Sequence, residues 1–300
     1  MTRPGEVTVA VPATSANLGP GFDALGLALE LRDEVRVRVA ADDEPPVAVE
    51  VLGEGAATLP RDTSHLVVRS ALAAFADLGV DAPRLALHCT NRIPHGRGLG
   101  SSAAAVVAGV LAARALAGAA DEEGRTAALA VSTALEGHPD NAAAALLGGL
   151  TIAWADAAGP RAVRVDPSPR LRATVLVPDV ELATTTARGL LPSTVPHADA
   201  AHAAGRSALL VEALTRRPDL LLPATEDRLH QAQRAPAMPA TADLVARLRA
   251  EGLAAVVSGA GPSVLVLSDG DGGVAERLGG GLPGWRVLPL RLAGGGATLS

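Results

Sequence analysis

Three glycines at alternate positions, Gly96, Gly98 and Gly100, stand directly before two serines, Ser101 and Ser102. Glycine adopts left-handed backbone angles without a steric penalty, so this stretch can turn several N–H groups toward one point. The serines are suitable residues for beginning a helix, and a helix N-terminus offers free N–H donors and a partial positive charge. The spacing therefore predicts a phosphate-binding loop, with serine hydroxyls within reach of a Mg²⁺ ion on the phosphates. A glycine-rich turn that only caps a buried helix is the alternative.

The composition is consistent with a phosphate site that uses no lysine. All 26 basic residues are arginines, which excludes a Walker A loop, a protein kinase built on a strand lysine, and a Schiff-base enzyme. The loop also lacks the spacing of the Rossmann fingerprint and of the hydrolase nucleophile elbow.

Charge and aromatic content indicate which partners the chain lacks. The net charge is −6, and two Phe, two Trp and no Tyr leave little material for stacking nucleic-acid bases, so no nucleic-acid partner is expected.

The apolar stretch 101–120 is mostly alanine and carries Arg114, which favours a buried helix over a membrane span. The first residues lead directly into a strand without an apolar leader, which predicts a cytoplasmic protein. The single cysteine, Cys89, is expected in the core of a strand.

Two further polar clusters could carry chemistry. Ala13–Asp23 is rich in turn formers and too polar for a core element, and it contains Asn17 and Asp23 six residues apart. These two residues suit recognition of a small polar substrate, or ordinary Asx turns. Glu136–Asn141 is acidic and suits Mg²⁺, or a turn that ends a helix. The residues alone leave these alternatives open.

Hydrophobic periodicity predicts a mixture of strands and helices without strict alternation, which favours an α+β chain of two domains. The predicted strands are Val7–Pro12, Glu34–Ala40, Val47–Leu52, Leu85–Thr90, Leu146–Ala155, Ala173–Val177, Leu253–Val257 and Val264–Leu267. The predicted helices are Ser64–Leu78, a long one from Ser101, Thr126–Leu135, Ala203–Thr215 and Ala240–Glu251. The Pro-rich stretch Asp156–Pro169 is the expected domain junction, Gly270–Gly284 is expected to be flexible surface, and Gly294–Gly296 a frayed tail.

Three segments in order resemble the three motifs of the GHMP kinases, named for galactokinase, homoserine kinase, mevalonate kinase and phosphomevalonate kinase. They are Val11–Asp23, Pro94–Ala104 and Ser258–Ser263. The resemblance covers nearly the whole chain and implies a two-domain α+β fold. Residues 1–160 would form the N-terminal, ATP-binding domain with a left-handed βαβ unit, against the usual right-handed rule. Residues 161–300 would form a ferredoxin-like α+β domain.

The resemblance also implies how ATP and Mg²⁺ are held. The ATP-binding residues would be Pro94, His95, Gly96, Arg97, Gly98, Leu99, Gly100, Ser101, Ser102, Ala103 and Ala104. Ser102 and Glu136 would be the Mg²⁺ ligands, and together with Asn141 they would form the catalytic set. Related mevalonate kinases and galactokinases have an aspartate base near the position of Asn141. An amide cannot accept a proton in that way, so direct in-line attack on the γ-phosphate is expected.

The first motif has the homoserine-kinase form, which implies phosphorylation of the side-chain hydroxyl of L-homoserine, a step toward threonine. The substrate-binding residues would be Asn17, Asp23, His138, Thr184, Arg188, Arg234 and Gly259. Arginine grips a carboxylate through two parallel hydrogen bonds, so Arg188 and Arg234 would hold the carboxylate of the amino acid. Asp23 would face its amino group, and Asp140 would be structural.

The chain departs from the usual pattern at Ala142 and Ala144, where Val and Pro are common, and at Ala232 and Gln233, where Pro-Tyr is common. These departures concern the shape of the pocket rather than the reaction. Two alternatives stay open: a GHMP kinase for another small hydroxyl acceptor, threonine-like or a hydroxy acid, and a non-catalytic sensor of the same fold. The family also implies a possible homodimer.

Overall fold

Two β-sheets covered by helices form the computed structural model, which describes residues 5–270, 274–277 and 282–300. The strands are β1 (Glu6–Asn17), β2 (Gly21–Val39), β3 (Val47–Gly53), β4 (Leu85–Asn91), β5 (Leu150–Asp156), β6 (Gly159–Val165), β7 (Leu171–Pro178), β8 (Ala254–Val257), β9 (Val264–Asp269), β10 (Trp285–Leu290) and β11 (Thr298–Leu299). The helices are α1 (Leu66–Asp77), α2 (Ser101–Leu116), α3 (Glu122–Glu136), α4 (Asp140–Leu147), α5 (Thr184–Gly189), α6 (His197–Thr215), α7 (Leu221–Ala224), α8 (Gln231–Arg234), α9 (Pro239–Ala250) and α10 (Val274–Arg277).

The larger sheet has seven strands in the order β11-β1-β2-β4-β3, with β5 joined to β2 and β6 to β5. Strands β3 and β4 are parallel neighbours connected through α1, which forms a βαβ unit. The smaller sheet has the order β10-β7-β9-β8 and is antiparallel throughout. The predicted α+β architecture is confirmed.

Helix α2 lies at the centre of the larger domain core. Its small alanine side chains allow close packing against α1, α3, α4 and β1, and every residue from Ala103 to Leu116 except Ala105 is buried. Arg114 is buried with it and donates to Asp77 across a 3.2 Å contact. Across residues 5–270, 274–277 and 282–300, no helix is both long and apolar enough to cross a bilayer. Cys89 is buried in β4, as predicted, and burial raises the pKa of its thiol to about 12.

The first polar segment is not the loop that its composition predicts. Strand β1 continues to Asn17 and β2 begins at Gly21, so only three residues separate them. Thr14, Ser15 and Asn17 are buried, because other segments supply hydrogen-bond partners for their polar groups.

The prediction of a strand over Leu146–Ala155 is also wrong at its start, where α4 still runs to Leu147.

The C-terminal glycines are not frayed. Arg32 donates to the carbonyls of Gly295 and Gly296, each at 2.9 Å, and Ala297 N donates to Ala145 O at 2.7 Å. A Cβ on Gly296 would lie 2.2 Å from Leu146 O, so this glycine permits a close backbone approach. The tail then adds β11 to the edge of β1.

Two other expectations concern segment boundaries. The predicted junction Asp156–Pro169 contains most of the β5–β6 hairpin, and the chain leaves the larger sheet between Val165 and Leu171. The division at residue 160 therefore falls within this hairpin, and the two-domain division stays a prediction. The expected flexible stretch Gly270–Gly284 lies partly outside the described residues.

Candidate active site

The predicted phosphate loop leads into α2 through three left-handed glycines. Gly96, Gly98 and Gly100 have φ angles of 63°, 71° and 69°. The first backbone bond of α2 runs from Ala104 N to Gly100 O at 2.8 Å. The N–H groups of the first three helical residues therefore have no acceptor within the helix. Residues 94–104 therefore form a loop and the first turn of α2, and the free backbone N–H groups of this turn are suited to binding an anion.

The third motif holds this loop in place. Ser258 Oγ lies 2.7 Å from Gly98 O, to which it donates, and 2.8 Å from Ser15 Oγ in the first motif. Gly259 N donates to Ala16 O at 3.1 Å. A Cβ on Gly98 would lie 2.2 Å from Ser258 O, which explains why a glycine is needed there. The three motifs, separated in sequence, thus meet at one point.

Ser102 and Glu136 face each other across the mouth of the loop. Ser102 Oγ donates to Glu136 Oε1 at 2.5 Å. Burial raises the pKa of Glu136, and the bond from Ser102 opposes that rise. The described ranges contain no group of three or more His, Cys, Asp or Glu that could hold a metal ion. One carboxylate and one hydroxyl nevertheless fit Mg²⁺, because this ion keeps several waters and takes further oxygens from phosphates.

Asn141 and its neighbours form a hydrogen-bonded turn at the start of α4. Thr14 Oγ1 donates to Asn141 Oδ1 at 2.8 Å, which orients the amide. Buried Asp140 accepts from Asn141 N at 2.7 Å and lies 2.7 Å from His138 Nδ1. The Asp140 contact raises the pKa of His138. Asp140 therefore organises the turn, and it lines the cleft together with Asn141 and His138.

Asp23 and Arg188 pair with each other. Arg188 Nη1 donates to Asp23 Oδ2 at 3.1 Å and Nη2 to Oδ1 at 2.5 Å, and this pairing raises the pKa of Arg188. The sequence interpretation assigns them to opposite ends of the substrate, whereas the structure joins them directly. Asn17 supports this arrangement, since its Oδ1 accepts from Asp23 N at 3.0 Å and its Nδ2 donates to Gly259 O at 2.9 Å.

Arg234 is a buried cation with only 1% of its surface exposed. Its Nε donates to Ala187 O at 3.3 Å and its Nη1 to Gly259 O at 3.2 Å. Its guanidinium also lies 5.5 Å from the ring centroid of Phe22, and Arg188 lies 5.6 Å from the same ring. Burial lowers the pKa of Arg234. None of these partners carries a negative charge, so the site suits an incoming carboxylate.

One cleft brings most of the predicted residues together. Its lining includes Asn17, Gly96, Arg97, Gly98, Gly100, Ser101, Ser102, Glu136, His138, Asn141, Thr184, Arg188, Arg234 and Gly259. Asp23 adjoins it through Arg188. Of the four departures from the family pattern, Ala142 and Ala144 are fully buried packing residues, and Ala232 and Gln233 do not line the cleft.

A second, mostly apolar pocket lies on the other side of the phosphate loop. It is lined by Leu59, His65, Leu66, Asn91, His95, Ser101 and Ser102, among others, and has an empty volume of about 660 Å³. His65 is 3% exposed, and both of its ring nitrogens are buried without a hydrogen-bond partner in the described part of the chain. Sequence reasoning identified only the phosphate-loop part of this pocket, because its other lining residues belong to no motif. An apolar slot with unpartnered ring nitrogens beside a phosphate loop fits a nucleotide base.

Comparison with known proteins agrees with this arrangement. The GHMP kinases N terminal domain matches residues 65–149, and the GHMP kinases C terminal domain matches residues 203–278. Homoserine kinases of Streptomyces avermitilis and Streptomyces coelicolor are each 55% identical to this chain, over 96% and 97% of it and 97% of each relative. The crystal structure of homoserine kinase from Cytophaga hutchinsonii superimposes with a TM-score of 0.85 at 28% identity, covering 100% of this chain and 99% of that one. The chain belongs to the GHMP kinase family, among its homoserine kinases.

Proposed function

We propose that the chain phosphorylates the side-chain hydroxyl of L-homoserine with ATP, giving O-phospho-L-homoserine and ADP. The observation that carries this proposal is the position of Arg234 in the same cleft as the phosphate loop, since this buried cation has no acidic partner among the residues that the structure describes. A phosphate donor at one end and a carboxylate at the other suit an amino acid that bears a hydroxyl group.

The phosphate end binds through the backbone. The N–H groups at the start of α2 hold phosphate oxygens, and Ser102 and Glu136 hold the Mg²⁺ ion. When bound, ATP supplies the phosphoryl group, and Mg²⁺ neutralises the charge that develops on it. The apolar pocket around His65 takes the base of the nucleotide.

The acceptor end orients the amino acid. Arg234 and Arg188 bind its carboxylate, and Asp23 binds its ammonium group, so the present Asp23–Arg188 pair opens on one side to admit the substrate. Asn17, His138, Thr184 and Gly259 line the space between them. Asn141 is held by Thr14 and orients the hydroxyl without acting as a base. The hydroxyl oxygen attacks the γ-phosphorus in line while the bond from that phosphorus to the ADP oxygen breaks, and the hydroxyl proton passes to an oxygen of the transferred phosphoryl group and from there to water. Positioning and charge neutralisation lower the barrier.

We further propose that the enzyme works in the cytoplasm and as a homodimer, as the family resemblance implies. The absence of a basic surface block and the low aromatic content argue against a nucleic-acid partner.

The test is ADP release from ATP and Mg²⁺ with L-homoserine, L-threonine, L-serine, mevalonate and galactose offered separately. We expect turnover with homoserine well above the others, and its loss in Glu136→Ala, whose folding is checked by circular dichroism. Turnover with a different acceptor would keep the kinase and overturn the assignment of the acceptor end. Binding of ATP without any turnover would favour a non-catalytic sensor.

A further inference from the structure

His230 lies directly behind the acceptor end of the cleft and belongs to none of the predicted site residues. Its side chain is completely buried. Its Nε2 lies 2.8 Å from Gly19 O in the first motif, and its Nδ1 lies 3.0 Å from Arg234 Nη1. The ring therefore joins the turn between β1 and β2 to the buried arginine.

These two contacts determine where the proton on the ring sits. A carbonyl oxygen only accepts hydrogen bonds, so Nε2 must carry the proton that reaches Gly19 O. A guanidinium only donates, so Nδ1 must present its lone pair to Arg234. The arrangement requires neutral imidazole with the proton on Nε2, and burial, which lowers the pKa of His230, favours the same neutral form.

The surroundings hold the ring in this position. Asp227 accepts from the backbone N–H groups of Leu229, His230 and Gln231, at 2.8, 3.1 and 2.8 Å. The imidazole also packs on Phe22, with ring centroids 5.3 Å apart. Since Arg234 and Arg188 both lie over Phe22, the ring of His230 supports the surface on which both arginines rest.

We propose that His230 is a positioning residue for recognition of the acceptor: its Nδ1 lone pair holds the guanidinium of Arg234 in the orientation that binds the substrate carboxylate. This inference rests on the proposed function. It differs from a general packing role, because a packing role does not depend on which ring nitrogen accepts.

Two near-isosteric variants separate these roles. In His230→Asn the side-chain oxygen takes the place of Nδ1, so the acceptor for Arg234 is kept and the donor to Gly19 is lost. In His230→Gln the amide nitrogen takes the place of Nε2, so the donor is kept and the acceptor is lost. We expect His230→Gln to raise the KM for homoserine about tenfold to a hundredfold, the range for losing a hydrogen bond to a charged group. In His230→Gln we expect kcat and the KM for ATP to change little. In His230→Asn we expect the KM for homoserine to stay within about threefold of the wild-type value.

The matched control is His88→Gln on the larger sheet, where the half-exposed His88 ring pairs with Glu50. It should leave all kinetic constants unchanged. A KM for homoserine that is unaltered in His230→Gln, or raised equally in both His230 variants, would overturn the proposal. If the wild type itself does not phosphorylate homoserine, the proposed function fails instead, and the two failures are thus distinguishable.

A second measurement needs no variant activity. In protein labelled with ¹⁵N-histidine, long-range ¹H–¹⁵N NMR distinguishes protonated from unprotonated ring nitrogens, and the His230 signals are assigned by their absence in His230→Asn. We expect an unprotonated Nδ1 and a protonated Nε2 at neutral pH. A protonated Nδ1 would overturn the proposal even if neither folded variant is active.

Discussion

The two ends of the cleft are built in different ways. The end of the cleft that we propose binds phosphate is one continuous segment, residues 94–104, which offers backbone N–H groups at the start of α2. The acceptor end consists of side chains from distant segments, with Asp23 and Arg188 separated by 165 positions. A site made of backbone appears in the sequence as glycine spacing, whereas a site made of side chains becomes recognisable only when the chain has folded.

The two ends also manage charge differently. Arg97, the arginine within the phosphate loop, donates to the carbonyls of Pro178 and Asp179 and pairs with Glu181. On the proposed function, the attraction for phosphate therefore comes from the helix and not from a buried cation. The acceptor end instead places Arg188 and Arg234 on one aromatic ring, and only Arg188 has an acidic partner. The arginine charge is therefore concentrated at the end where we propose that the substrate carboxylate binds.

The largest expected effect tests the backbone-built end. Gly98→Ala places a Cβ 2.2 Å from Ser258 O at a φ of 71°, so the loop must shift and its N–H groups no longer converge. We expect about a thousandfold loss of kcat/KM, comparable to removing one preorganised donor for a developing anion. Calorimetric titration with a non-hydrolysable ATP analogue should show weakened binding alongside the kinetic loss.

The matched control is Gly205→Ala in α6, where an added Cβ meets nothing within 4 Å. It should retain full activity and gain slight stability, because alanine favours helix. Wild-type nucleotide binding in Gly98→Ala would contradict a backbone-built phosphate site.

A smaller effect is expected from Arg234→Lys at the side-chain-built end. Lysine keeps the charge but cannot reproduce the planar fork that binds a carboxylate through two hydrogen bonds. We expect the KM for homoserine to rise about a hundredfold, within the range for truncating a buried charge partner, and the KM for ATP to stay unchanged. Arg216→Lys, in an exposed pair with Glu212, is the control. Equal losses for both substrates would show that the two ends are not separable.

The smallest effect is expected from Ser258→Ala, which removes the hydroxyl that joins the third motif to both other motifs. Gly98 O then loses its donor, and the free energy of unfolding should fall by about 1–3 kcal/mol. Affinity for the ATP analogue should fall less than tenfold, because the N–H groups themselves remain. Urea denaturation measures the free energy of unfolding. Ser64→Ala, which removes an exposed contact between Ser64 and Asp62, is the control variant. An unchanged stability would mean that the loop holds its shape without the third motif.

Several features were predictable from the sequence because they depend on neighbouring residues. Glycine spacing predicted the left-handed turns of the phosphate loop, and the alanine-rich stretch predicted the buried helix α2. The polar segment around Ser15 was wrongly predicted as a loop, because a residue's type does not show whether a distant partner will satisfy its hydroxyl. The tail was predicted as frayed for the same reason, since Arg32 provides its anchors from 263 and 264 positions away.

The sequence by itself determined the phosphate loop, its helix and the three motifs, because glycine conformation and helix dipoles act within a few residues. Only the tertiary structure decided that Asp23 pairs with Arg188, that Phe22 carries two guanidinium groups, and that His230 presents a lone pair to Arg234. The Asp23–Arg188 pair joins segments that are far apart in sequence, and the His230–Arg234 contact depends on burial, which removes water from both groups. Burial is a property of the folded chain as a whole, so no local pattern records it.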